Sequence, residues 1–152
     1  MANTGLKDRI PPNNQDAEIA TLGALLLDSD SMGTVVQYLR PDDFYRTAHQ
    51  RIFQGIIKLF ERNEAIDLIT LTEELRNENL LDACGGAAYI SRLTSAVPTS
   101  ANIRYYAQIV QDCSIRRNLS RIAASIVSDS FDDSREVRLI IEEAERQIFE
   151  IT

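Results

Sequence analysis

Reaction chemistry in this chain would have to be built around one histidine, two cysteines and a few adjacent acidic pairs. His49 is the natural general base, but it shares an apolar helical face with Ile52, Phe53 and Ile56, and the sequence sets no obvious nucleophile beside it. That pattern reads as a core histidine hydrogen-bonded to a neighbouring carboxylate or backbone group, not as a catalytic base. The acidic pairs Asp42-Asp43, Glu73-Glu74 and Glu142-Glu143 are consecutive, and consecutive helical positions point apart, so they read as caps or solvated faces. Cys84 and Cys113 are too few and too isolated for a disulfide framework or a zinc site. They read as two buried, reduced thiols of a cytoplasmic protein. Gly85-Gly86 follows no strand and meets no further glycine at the spacing of a phosphate-binding loop, so it reads as a helix-breaking turn. The lysines are Lys7 and Lys58, and neither completes G-x-x-x-x-G-K-[ST], which excludes a P-loop nucleotide site. No catalytic residue, cofactor site or metal site is assigned.

Charge narrows the function further. The formal net charge is −7, whereas proteins that grip nucleic acid by its phosphates carry a basic face. Arg116, Arg117 and Arg121 form the local exception, close together on one expected helix. A solvated or ion-paired face is the ordinary reading, and a weak DNA contact is the alternative. From Ser128 onward the chain is acidic, and those carboxylates would neutralise the arginines if the two segments packed together. No apolar run reaches the ~18 residues of a membrane span, and the N-terminus has no signal-peptide pattern.

The elements that position these residues all read as helices. After a polar opening expected to be disordered (residues 1–12), Asn13 is placed to cap a first helix with Asp16 three residues on. That helix runs from about Asn14 to Leu27, with Ala17, Ile19, Leu22 and Leu26 facing inward. Gly23 sits inside it at a cost of roughly 1 kcal/mol against alanine, which predicts a close neighbouring helix. A second helix is expected from the caps at 28–31 through about Leu39, ended by Pro41. Phe44 and Tyr45 are expected to plug the core. His49, Ile52, Phe53, Ile56, Ile57 and Phe60 predict an amphipathic third helix over about 47–62. Thr70-Leu71-Thr72-Glu73 has capping-box spacing, and a short helix follows it. After the Gly85-Gly86 break another short helix carries Tyr89, Ile90 and Leu93, and Val97-Pro98-Thr99 ends it and caps the next.

From Thr99 to about Phe131 no proline or glycine interrupts the chain. The apolar stripe changes face near Cys113, from Ile103, Tyr106, Ala107 and Val110 to Ile115, Leu119, Ile122 and Ile126. Asp133 is placed to cap a last helix in which Val137, Ile141, Ala144, Ile148 and Ile151 alternate by four and three. Two adjacent seams joined by a polar turn predict an antiparallel hairpin. The expected fold is therefore all-α: a globular helical head (13–112) followed by a long antiparallel helical hairpin (113–152). The seam is still running at Ile151, so the chain is expected to be part of something longer.

Taken in order, these features resemble one family. Ile10-Pro11-Pro12-Asn13-Asn14-Gln15-Asp16-Ala17-Glu18, Leu22-Gly23-Ala24, Asp43-Phe44-Tyr45, His49 with Ile52-Phe53, Asp67 and Thr70, Gly85-Gly86 with Tyr89, Val97-Pro98-Thr99, Asn102 and Tyr105-Tyr106-Ala107 are similar in order and spacing to the N-terminal domain of the bacterial replicative DNA helicase, the DnaB family. Asp16 departs from the family, which usually has glutamate there, and the cysteines are not family markers. The resemblance implies a non-catalytic collar that dimerises, helps close a hexameric ring as a trimer of dimers, and recruits the C-terminal domain of primase. It extends the partners to a helicase loader or initiator, and the location to the cytoplasmic replisome. It places ATP, Mg and the 5′–3′ motor in a C-terminal domain outside this chain. For the hairpin and dimer interface the expected residues are Leu119, Ile122, Ile126, Val137, Ile141, Ala144 and Ile148; for primase contact they are Tyr89, Ser120 and Ile126, with ordinary core packing as the competing reading. The helicase-binding C-terminal domain of a primase is a second reading of the same helical pattern. A small all-α DNA-binding or scaffold module is a third, and an independent enzyme is disfavoured for want of a catalytic constellation.

Overall fold

The computed structural model of the chain describes residues 9–151. Most of the expected disordered opening (residues 1–12) thus lies outside the described residues. Among the described residues the architecture is all-helical, with no strand. The α-helices are α1 (Gln15–Leu27), α2 (Met32–Val35), α3 (Thr47–Glu61), α4 (Leu68–Asn77), α5 (Gly86–Ser95), α6 (Ile103–Ser130) and α7 (Val137–Ile151). Short 3-10 turns occupy Ser29–Ser31 and Pro41–Asp43. The described residues divide into two compact units, 13–113 and 114–151 together with 9–12.

In the first unit α1 is the central element. It packs on both α3 and α5, while α4 packs on α3 and α5. Buried residues lie all around α1, including Leu22, Gly23, Ala24, Leu25 and Leu26, as expected of a helix enclosed by neighbours. Ile19, expected inside, is only partly buried. Gly23 is dictated by its neighbour: a Cβ there would stand 2.1 Å from the Leu93 carbonyl oxygen of α5. The missing side chain is what lets the two helices approach, as the sequence predicted.

Several caps differ from the sequence expectation. Asn14, not Asn13, takes the extended backbone before α1 and accepts from the Ala17 N–H at 2.9 Å. The second helix is only four residues long, because Gly33 and the β-branched run Thr34-Val35-Val36 favour helix weakly and the chain passes into turns. α4 starts two residues before Thr70. Asp67 is its N-cap, Thr70 N–H donates to Asp67 Oδ1 at 2.9 Å, and Thr70 Oγ1 accepts from Asp67 N–H at 2.9 Å. The Thr70–Glu73 box is therefore not the one formed. Phe44 is fully buried and packs on Phe53, with centroids 5.0 Å apart, but Tyr45 stays exposed. In α3 Phe60 is exposed, and Leu59 fills the core in its place. Cys84 is buried, while Cys113 is only half-buried, so the expectation of two buried thiols holds for one of them.

The second unit contains the C-terminal part of α6 and all of α7, an antiparallel helical hairpin. α6 is 28 residues long, about 42 Å. α7 begins at Val137 without the expected Asp133 cap. Asp132 instead accepts from the Ser134 N–H and hydroxyl within the turn, at 3.1 and 2.6 Å. These two contacts hold the Asp132 carboxyl below the usual carboxylate range.

Candidate functional site

The most deeply buried polar side chains of the first unit include a network that the sequence did not display. Glu18, on the first turn of α1, is 1% exposed, and His49 of α3 is wholly buried. A carboxylate taken out of water must be matched by donors. Three arrive: the Tyr45 N–H donates to Glu18 Oε2 at 2.6 Å, the Arg46 N–H to Oε1 at 3.4 Å, and His49 Nδ1 to Oε1 at 2.6 Å. With Nδ1 donating, His49 Nε2 accepts from the Tyr89 hydroxyl at 2.6 Å. The Tyr89 oxygen in turn accepts from Arg46 Nη1 at 3.3 Å. The chain Arg46→Tyr89→His49→Glu18 thus runs with each donor used once. It ties α1, α3 and α5 together.

Local backbone chemistry places Tyr89. Gly85 adopts φ +93° and Gly86 φ +78°, a left-handed stretch that only glycine enters freely. A Cβ on Gly85 would come within 2.8 Å of Tyr89 Cβ and 2.9 Å of its Cγ. Gly85 therefore leaves room for the ring as the residue before α5, and Gly86 starts the helix. The Tyr89 and His49 rings stack at 11° with centroids 6.0 Å apart. Two guanidinium groups lie over the same tyrosine, Arg46 at 5.6 Å and Arg92 at 5.7 Å from the ring centroid.

Hydroxyl, imidazole and carboxylate follow the order of a hydrolytic triad, but the environment removes the nucleophile. Burial raises the Tyr89 phenol above its ordinary range, with the nearby arginines only partly offsetting it, so the oxygen keeps its proton at neutral pH. The imidazole has no solvent-exposed surface. The arrangement holds a tyrosine ring in a fixed pose with its phenol protonated. Among the described residues no group of three or more His, Cys, Asp or Glu side chains could hold a metal ion, and no helix is long and apolar enough to cross a membrane.

The residues singled out from sequence fall in both units. His49 is the core histidine bonded to a carboxylate that was expected. Tyr89 is half-buried on α5 in the first unit. Ser120 is exposed and Ile126 half-buried, both on α6 in the second unit. Of the hairpin residues, Ile122 is buried and Ala144 half-buried, whereas Leu119, Val137, Ile141 and Ile148 are largely exposed in the single chain. On α7 the more covered positions include Ile140, Ala144, Gln147 and Ile151. Arg116 and Arg121 are exposed or nearly so, and Arg117 Nη1 donates to the Pro12 carbonyl at 2.8 Å. The acidic hairpin residues pair with arginines of their own segment: Asp129 with Arg135, Glu142 with Arg138, and Glu143 and Glu150 with Arg146.

Glu18 and its link to Tyr89 were missed by sequence reasoning. A signal existed: Glu18, Thr21, Leu22 and Leu25 share helical spacing, which sets an acid within an apolar stripe.

The chain resembles known proteins over nearly its full length. Residues 10–112 match the model of the DnaB-like helicase N-terminal domain. The replicative DNA helicase DnaB of Treponema pallidum (strain Nichols) is 42% identical over 147 residues, 97% of this chain and 34% of that protein. The replicative DNA helicase DnaC of Bacillus subtilis (strain 168) is 44% identical over 146 residues, 96% of this chain and 32% of that protein. The chain thus spans about a third of the length of these relatives. The crystal structure of the N-terminal domain of DnaB helicase from Mycobacterium tuberculosis superposes with a TM-score of 0.88 at 36% identity, covering 94% of this chain and all of that one. A structure of a DnaB-like replicative helicase and its interactions with primase shares the fold, with a TM-score of 0.75 at 24% identity over 91% of this chain and 32% of that one. The chain therefore belongs to the DnaB-like helicase N-terminal domain family.

Proposed function

We propose that this domain is a non-catalytic assembly and recruitment collar. It pairs through its hairpin, contributes to a hexameric ring, and binds the C-terminal domain of primase through Tyr89 of the first unit and Ser120 and Ile126 of the second, in the cytoplasm at the replication fork. ATP and Mg chemistry belongs, on this reading, to a separate motor domain. A helicase loader or initiator is a further partner of the same collar.

The observation that carries the assembly half is the apolar surface of the hairpin unit. Ile141 is 53% exposed, Ile148 47%, Phe149 78% and Phe131 84%. Isolated exposed apolar residues are ordinary, but several along one hairpin favour an interface between chains. For recruitment the support is the fixed, half-exposed Tyr89.

Sedimentation velocity across a hundredfold concentration range tests assembly. A mass that rises to the dimer or beyond is expected, and a strict monomer at the highest concentration would refute hairpin pairing. Calorimetric titration with the primase C-terminal domain of the same organism tests recruitment. Saturable binding at one primase domain per two chains is expected, and absence of heat would refute it for this domain alone.

A further inference from the structure

The structure assigns to Arg46, Tyr89 and Arg92 a carboxylate-recognition site, which fits an acidic side chain on the surface of a protein partner. This rests on the reading of Tyr89 as a primase contact, and it names the chemistry the primase domain must present there.

The charges around Tyr89 are unbalanced. Elsewhere among the described residues several arginines find carboxylates: Arg62 with Glu64 and Glu74, Arg76 with Glu73, Arg135 with Asp129, Arg138 with Glu136 and Glu142, and Arg146 with Glu143 and Glu150. No carboxylate among the described residues pairs with the guanidinium of Arg46 or Arg92, although the chain has a formal net charge of −7 and acids to spare. Glu18, the acid that joins the same network, is buried and already accepts from Tyr45, Arg46 N–H and His49. Its charge is enclosed within the network instead of being offered to the guanidinium groups.

The geometry sets both cations against one ring. Both guanidinium groups are held by the same ring, 5.6 and 5.7 Å from its centroid, and the ring is fixed through its hydroxyl to His49 at 2.6 Å. A guanidinium above an aromatic face keeps N–H groups at its rim, the fork that a carboxylate accepts in bidentate fashion. An acceptor beside either guanidinium gains a charged partner while the cation–π contact to the ring is kept. Arg92 is exposed, and Arg46 and Tyr89 are half-buried, so the site is reachable.

A carboxylate suits this site better than a nucleic-acid backbone. A phosphate chain needs a run of cations along its path, whereas here two arginines stand in an acidic protein. Two cations match one or two acidic side chains on a folded surface, the kind of pairing that sets partner choice and encounter rate.

The test is titration calorimetry of the whole chain against the C-terminal domain of its own primase at low and moderate salt, using wild type, Arg92→Gln, Arg92→Glu and Arg46→Gln. Arg92 is exposed, so its variants keep the wild-type melting curve, checked by circular dichroism. Expected are a loss of affinity of about fivefold to tenfold for Arg92→Glu, a smaller loss for the two glutamine variants, and a shallower salt dependence in all three. Variants that bind as wild type does, with unchanged salt dependence, would overturn the carboxylate site while leaving recruitment intact. A wild-type chain that binds no primase domain would remove the recruitment reading and this inference with it. A labelled single-stranded oligonucleotide that binds wild type at physiological salt and is lost on Arg92→Glu would reassign the site to phosphate.

Discussion

Replacing Gly23 by alanine separates two effects that act in opposite directions. Inside a helix alanine is favoured over glycine by roughly 1 kcal/mol, so propensity alone predicts a more stable protein. The added Cβ, however, would stand 2.1 Å from the Leu93 carbonyl oxygen, 3.0 Å from its carbon and 3.2 Å from Val97 Cγ2. Ordinary contact begins near 3.4 Å, so α5 would have to retreat by about 1.3 Å. The obstructing atom is backbone, held in a helix whose Leu93 and Ile90 are buried, so no rotamer change relieves it. Overpacking of this kind costs typically 1–3 kcal/mol and more when backbone must move. The net expectation is a loss of about 2 kcal/mol, a fall of about 4–8 °C in melting temperature for a chain of this size. Gly55→Ala is the matched control. It sits in α3 with the same propensity gain, but its Cβ would meet Leu71 Cδ1 at 3.0 Å and Leu75 Cδ2 at 3.4 Å, the ends of side chains instead of backbone. It is expected to fall within about 0.5 kcal/mol of wild type or above it. Urea unfolding followed by circular dichroism measures both. A Gly23→Ala protein as stable as wild type would refute the argument that the α1–α5 approach dictates this glycine.

Glu18→Leu strips the acceptor from the Tyr45 and Arg46 N–H groups and from His49, and a loss of about 3–5 kcal/mol is expected in denaturant unfolding. Glu74 is held below the ordinary glutamate range chiefly by its hydrogen bonds from Arg62, at 2.6 and 3.2 Å. A lowered folded-state value contributes stability above the ordinary pKa that is lost as pH falls through the folded one. Glu74→Gln should therefore cost about 1–2 kcal/mol at neutral pH, and its gap from wild type should narrow below about pH 4.5 in a series of unfolding curves. Ile141→Asp acts on a side chain 53% exposed in the single chain, so the dilute monomer should melt within a few degrees of wild type while sedimentation shows self-association lost. Thiol labelling should reach Cys113 first, because Cys84 is buried and burial raises its thiol above the ordinary value.

What the sequence made legible follows the range of the interactions involved. Helix periodicity is a local property, and α3, α6 and α7 stand where three-and-four spacing put them. Gly23 was readable because a glycine weakens a helix interior unless a close neighbour leaves no room for a side chain. Caps were missed by small shifts. Asn13 and Asn14 are chemically identical candidates, and only the backbone angles, with Asn14 extended at φ −140°, select between them. Asp67 and Thr70 reverse the expected order, an acid at the cap and a hydroxyl three residues on, which satisfies the same two N–H groups. The Glu18 network was out of reach for another reason. Its partners lie 27 to 43 residues apart in the chain, and nothing local says which buried acid meets which histidine. His49 alone could be placed, as a histidine needing some carboxylate or carbonyl; the identity of that group required the fold.

The hairpin's apolar side chains and the charged surround of Tyr89 are surfaces of different kinds, and that difference has a consequence for assembly. The hairpin unit exposes aliphatic and aromatic side chains, such as Leu139, Ile141, Ile148 and Phe149, with many of its charges paired among themselves. Apolar surface of this sort resembles that of long-lived subunit contacts, whose driving force is burial and is little affected by screening. The first unit also exposes apolar side chains, Ile69 and Tyr105 among them, but around the half-buried Tyr89 it sets two guanidinium groups, the polar composition of contacts that form and release. Screening weakens such charge pairing over about a Debye length, roughly 10 Å at 0.1 M salt. Raising salt from low to moderate concentration should therefore release the primase domain before it dissociates the chains from one another. If both contacts weakened together along one salt curve, the division of labour between an apolar assembly surface and a charged recruitment site would be wrong.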